Sequence, residues 1–188
     1  MPRDSKKTRQ SIIDAANQLF YAEGIRAVSV DRIAEEAGIT KRTLYYHFES
    51  KDDLAAAYLT SRDQPNLDAF RRWYDRADGD VPDKVEALFA GVARAAQSKT
   101  WRGCGFLRTA GELANMPGHP AIKAGAAHKK RFENWLSETF EAAEISNANA
   151  RARQVVLLMD GAFSTVMVHH DVAYIEEAGR AARALTED

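Results

Sequence analysis

An all-α fold is predicted by two features of the sequence. Apolar residues recur at three- and four-residue spacing along the whole chain, and no Val/Ile/Thr-rich alternating run with a hairpin turn interrupts them. The first helix is predicted from about Thr8 to Glu23, with Ile12, Ala16, Leu19 and Phe20 on one face, Ile13 beside them and Gly24 as the stop. A short helix follows over about 30–37, with Ser29 as N-cap and Asp31 in its dipole-favoured first turn. Gly38 allows a tight turn, and Thr40 caps a third helix ending near Phe48. Ser50 caps a fourth, with Asp53 where a capping-box acid belongs. Pro65 predicts a kink near 63–66, since its ring removes an interior backbone hydrogen bond. Five further helices are expected over about 82–98, 104–114, 119–144, 148–169 and 171–185, making about nine in all.

Composition narrows the class. With 45% hydrophobic and 28% charged residues, the chain has the balance of a soluble globular protein. A single cysteine, Cys104, excludes an internal disulfide framework and suits a reducing compartment. No stretch approaches the roughly 20 apolar residues of a membrane helix, and the N-terminus lacks the apolar core of a signal peptide. A cytoplasmic protein without a membrane partner is therefore expected. The net charge of −1 is unevenly spread: through Lys51 there are nine Lys/Arg against seven Asp/Glu, and the remainder is acidic. Attraction to phosphate is thus possible only locally.

The informative segment is 29–54, SVDRIAEEAGITKRTLYYHFESKDDL. Ile33, Ala34, Ala37, Ile39, Leu44 and Phe48 supply the buried positions that a helix-turn-helix needs, with a small residue, Ala34, where the two helices cross. The third helix is then left to expose Thr40, Lys41, Arg42, Thr43, Tyr45, Tyr46 and His47. These are donors and flat rings able to reach base edges or phosphates. Tyr45 and Tyr46 point in different directions on a helix, so a core role for one of them stays open, as does a purely structural role for His47.

This segment, with the preceding Ala15-Ala16…Leu19-Phe20…Gly24 and the following Ser50-Lys51-Asp52-Asp53-Leu54, resembles the DNA-binding module of the TetR family of regulators. The resemblance covers the first ~60 residues. Less specifically, Arg102-Gly103-Cys104-Gly105-Phe106 with Glu112, then His119-Pro120, is similar to one subgroup of that family. The likeness implies a helix-turn-helix DNA-binding domain over 1–50. A regulatory, ligand-binding and dimerisation domain would occupy 51–188, including a connecting helix over 51–76, with Asp78–Pro82 the clearest break in the chain. It implies that Lys41, Arg42, Thr43 and Tyr45 approach the major groove and that Tyr46, His47 and Lys51 hold phosphates. Ser29, Val30 and Thr40 would face the DNA backbone from helix N-termini. For an arm of Arg3, Lys6, Lys7 and Arg9 it implies phosphate or minor-groove contacts, with a merely solvated tail as the alternative. Many relatives carry Gly or another small residue at the position of Arg42, so its base partner does not carry over.

The function so implied is a homodimeric repressor released from a near-palindromic double-stranded operator by a small-molecule effector. Residues that could line an effector cavity are Phe89, Trp101, Phe106, Met116, Trp135, Met159, Phe163 and Met167, with Thr109, Glu112, His128 and Asp160 as polar groups on largely apolar helices. Most such residues are simply core. Val155, Leu158, Met159, Ala162 and Val166, then Val172, Ile175, Ala178 and Ala182, offer small or apolar faces for self-association through the last two helices. Three alternatives remain: a redox-responsive repressor using Cys104, a protein-binding adaptor, and an enzyme on a helical bundle. No nucleophile elbow, phosphate loop, HExxH or carboxylate pair supports catalysis. His169-His170 are adjacent and cannot share one ion from one helix face, so no metal or other cofactor is expected.

Overall fold

A computed structural model describes residues 2–187, with side chains from Ser5 onward. The described residues form nine α-helices and no strand: α1 (Pro2–Glu23), α2 (Val30–Glu36), α3 (Lys41–His47), α4 (Lys51–Asp75), α5 (Val81–Ala96), α6 (Gly105–Glu112), α7 (Pro120–Ala142), α8 (Ala148–His169) and α9 (Ala173–Thr186). The all-α prediction holds. One boundary is corrected: α1 starts at Pro2, not near Thr8. Proline is tolerated in a first helical turn, and no breaker lies between it and Thr8, so the basic arm is helical backbone. Of that arm, the side chain of Arg3 lies outside the described residues.

The chain divides into two compact units, one of residues 2–64 with 105–126, the other of 65–104 with 127–187. The division falls at Pro65, through which α4 continues as helix.

In the first unit, Ile12, Ala16 and Phe20 of α1, Ile33 of α2, Leu44 of α3 and Leu54, Tyr58 and Leu59 of α4 are buried. The expected caps are present. Ser29 Oγ accepts from the Arg32 N–H at 3.2 Å, Thr40 Oγ1 from Thr43 at 3.1 Å and Ser50 Oγ from Asp53 at 3.0 Å. Between α2 and α3, Gly38 takes φ +67°. The Ile39 N–H donates to the Ala34 carbonyl at 2.9 Å and the Gly38 N–H to the Glu35 carbonyl at 3.0 Å. This pair is a Schellman closure, which satisfies α2's last carbonyls and fixes the angle at which the chain enters α3. The α6 segment belongs to this unit, with Phe106 and Leu113 buried.

In the second unit, α5 packs on α9, and α9 on α8. Asp80 and Asp83 form a reciprocal capping box at the start of α5. Arg183 of α9 pairs with Asp83 and holds its carboxyl below the usual range. The faces of α8 and α9 differ from the self-association reading. Val155, Met159, Ala162, Val166, Ile175 and Ala182 are buried within their own chain, because helical spacing served the subunit's core first. The outward apolar residues are instead Leu157 (65% exposed), Val168 (72%) and Tyr174 (43%).

Two glycines separate conformation from space. A Cβ at either Gly38 or Gly111 meets nothing within 4 Å, but only Gly38 has positive φ. Gly38→Ala should therefore destabilise by about 1–2 kcal/mol. Gly111→Ala, in the last turn of α6, should be neutral or stabilising by up to about 1 kcal/mol. Urea denaturation of both variants checks the contrast.

Candidate nucleic-acid interface

A seven-residue α3 must hide its apolar side and offer the rest. Leu44 is its only buried side chain, and Phe48 at its C-cap is buried too. The opposite side is exposed: Lys41 and Arg42 are open, Tyr45 is 46% and Tyr46 80% exposed, while Thr43 and His47 are half-buried. Neither tyrosine is a core residue. Tyr46 meets the His47 ring edge-on at 5.2 Å between centroids. Arg42 has no hydrogen-bond or ion-pair partner among the described residues, so its guanidinium fork is available. Lys41 is engaged: its Nζ lies 3.0 Å from Asp31 Oδ2 on α2, and that contact raises its pKa.

Flanking groups extend this face. Thr40 and Ser29 are exposed caps, and Val30 is half-buried beside Ser29. The Thr40 and Thr43 hydroxyls bond one another at 2.8 Å. Arg9 of α1 lies 4.7 Å over the Phe48 ring, which fixes one basic residue of the arm beside the end of α3. Lys51 is half-buried at the start of α4. Burial lowers its pKa, and the charges of Asp52 and Glu112 oppose that shift.

The effector candidates fall in both units. Phe106, Thr109 and Glu112 lie in the first, where Phe106 and Thr109 are buried. Glu112 Oε2 accepts from the Arg26 N–H at 2.9 Å, just beyond α1, while the Arg26 guanidinium donates to Asn115 at 2.7 Å. Glu112 thus ties α6 to the α1–α2 turn. In the second unit, Trp101 stacks on Phe163 at 6.3 Å, and Lys129, which pairs with Asp160, lies 5.8 Å over the same Phe163 ring. Trp135 stacks on Phe132 at 5.9 Å, Phe89 packs where α5 meets Gly179 of α9, and Met159 and His128 are buried. Cys104 is half-buried, and no group of three or more His, Cys, Asp or Glu able to hold a metal occurs among the described residues. No described helix is long and apolar enough to cross a membrane.

Sequence reasoning missed Lys129 and the Arg26–Glu112 contact. Lys129 directly follows His128, and only its partner's position on α8 shows that it turns inward.

Comparison with known proteins agrees with this geometry. The model of "bacterial regulatory proteins, tetR family" matches residues 12–58, which holds the buried face of α1, all of α2 and α3, and the first two turns of α4. The regulator TtgW of Pseudomonas putida is 44% identical over 62 residues, 33% of this chain and 46% of that protein. A helix-turn-helix regulator of Staphylococcus aureus is 39% identical over 88 residues, 47% and 45% respectively. The chain thus spans less than half the length of these curated relatives. The likeness to SCO4454, a TetR-family transcriptional regulator from Streptomyces coelicolor, runs end to end, with 30% identity over 95% of this chain and 93% of that one and a TM-score of 0.80. The chain belongs to the TetR family. This TetR-family chain is a transcriptional regulator, and regulators of this family are not enzymes.

In this TetR-family regulator the Glu112 contact carries a test. Glu112→Ala should cost about 0.5–1.5 kcal/mol, the ordinary worth of one hydrogen bond. It should also speed amide hydrogen exchange at Arg26 relative to Leu44, as read by NMR.

Proposed function

We propose that the chain is a cytoplasmic homodimeric repressor whose two α3 helices enter successive major grooves of a near-palindromic operator. The observation that carries this reading is the outward face of α3, where Arg42, Tyr45 and Tyr46 are exposed and unused by the core. In this reading residues 1–50 bind DNA and 51–188 regulate. Arg42 and Thr43 approach base edges, Tyr45 contributes a ring to the groove, and Tyr46, His47 and Lys51 hold phosphates. Ser29, Val30 and Thr40 bring the N-termini of α2 and α3 to the backbone.

Self-association through α8 and α9 is supported by a shallow groove of about 470 Å³ that includes Leu157, Leu158, Gly161, Thr165, Tyr174 and Ala178. Small residues there allow the close helix approach of a two-fold interface. A small-molecule effector in the regulatory part shifts the spacing of the two DNA-binding units. A coupling of about 3 kcal/mol changes operator affinity roughly 150-fold.

Selection of bound duplexes from a random pool tests the whole reading. An inverted repeat is the expected product, and a folded dimer that enriches no sequence contradicts it. On the recovered site, Arg42→Ala should lose about 1–3 kcal/mol of discrimination at one position per half-site. Asp31→Asn should act oppositely. Freeing Lys41 from its carboxylate partner should tighten binding at low salt and steepen the salt dependence by up to about one charge per subunit.

A further inference from the structure

Two arginines of the first unit converge on one tyrosine without a carboxylate to neutralise them. The guanidinium of Arg62, on α4, lies 4.9 Å from the centre of the Tyr21 ring, and that of Arg108, on α6, lies 5.9 Å from the same centre. Arg108 donates from Nη1 to the Tyr21 carbonyl oxygen at 2.6 Å. Arg62 Nε is buried with no hydrogen-bond partner. Neither side chain is paired with an acid among the described residues. The nearest acids in sequence are already engaged: Glu112, one turn beyond Arg108, accepts from the Arg26 N–H, and Asp63, next to Arg62, has a partner of its own.

This arrangement is costly when empty. Guanidinium groups do not deprotonate in proteins, so neither arginine can shed its charge as a buried lysine does. The Tyr21 ring offsets part of the cost through its π-face but neutralises no charge. It also leaves the buried Arg62 Nε–H unsatisfied, an expense that a buried donor usually avoids. A bound oxyanion removes both penalties, because a planar fork on either arginine matches its oxygens.

The two arginines stand on a closely packed aromatic base. Tyr58 lies one turn before Arg62 on α4, and Gly105 one turn before Arg108 on α6. A Cβ on Gly105 would lie 2.8 Å from the Tyr58 hydroxyl and 3.8 Å from Tyr21 Cδ2, so the two rings close on bare backbone. Phe20 packs edge-on against Tyr58 at 5.6 Å. The floor is aromatic and the polar groups are cationic.

We propose that Arg62 and Arg108 form a binding site for the carboxylate or phosphate group of an organic acid, with its body beside the half-buried Tyr21. The proposal deepens the repressor reading by naming the chemical class of the effector. Its regulatory consequence rests on that reading, while the binding itself does not. An anion here bridges α1, α4 and α6 within the unit that carries α3.

The test is an NMR titration of the arginine Nε–Hε resonances in the full-length protein, assigned with Arg62→Lys and Arg108→Lys. The probes are benzoate, octanoate and inorganic phosphate, each against sodium chloride at matched ionic strength, with benzamide as the neutral isostere. Saturable shifts of both resonances with at least one anion, and none with benzamide, are expected. Phosphate alone points to a free or esterified phosphate as the natural partner, and benzoate or octanoate to a carboxylic acid. Arg62→Gln and Arg108→Gln should each weaken binding by roughly tenfold or more, as loss of one charge-assisted hydrogen bond implies. If no anion moves either resonance of the folded wild type at millimolar concentration, the site does not exist, whatever the protein does on DNA. If an anion binds but leaves operator affinity unchanged, the site stands and its effector role falls.

Discussion

A helix of seven residues is too short to persist alone, since the first turn costs more conformational freedom than its few hydrogen bonds return. Helix α3 buries only Leu44 within its own span. It is held at its ends instead: the Thr40 cap and the Schellman closure at Gly38 before it, and Phe48 beyond it with Arg9 across that ring. Everything proposed for Arg42, Tyr45 and Tyr46 depends on those end constraints. A looser turn would leave the same side chains on a helix without a fixed direction, and hydrogen bonds to base edges do not tolerate that.

The parts of this arrangement that are local in sequence were legible in it. Capping oxygens act over three residues and a Schellman turn over six, so Ser29, Thr40, Ser50 and Gly38 declared their roles within short windows. Periodicity also separated Leu44 from its exposed neighbours. The start of α1 was harder, because a basic run with few apolar residues has no period, although nothing in it forbids helix. The partners of Glu112 and Arg108 were illegible for a different reason. Each meets α1 or the turn after it across more than 85 residues, and no spacing rule reaches that far. Glu112 therefore looked like a free polar group on an apolar helix when it is committed to Arg26.

The same distinction explains the last two helices. Periodicity marked their apolar residues without revealing which would be used up inside the subunit. Val155, Met159 and Ile175 close the core, whereas Leu157 and Tyr174, on other faces of the same helices, are left outside. In helices with apolar groups on several sides, pattern alone underdetermines the direction of the second face.

The brevity of α3 also bears on how much a single subunit can know about a DNA sequence. Seven residues rising about 1.5 Å each span roughly 10 Å, the height of about three base pairs stacked at 3.4 Å. A word of three letters recurs by chance every few dozen positions, against a genome's ~10⁶–10⁹ competing sites. One copy of the helix is thus a reader with a very small vocabulary. Its selectivity grows by requiring two words at one fixed separation, and by charging for the bending of whatever lies between them. The distance between subunits then becomes part of the text being read.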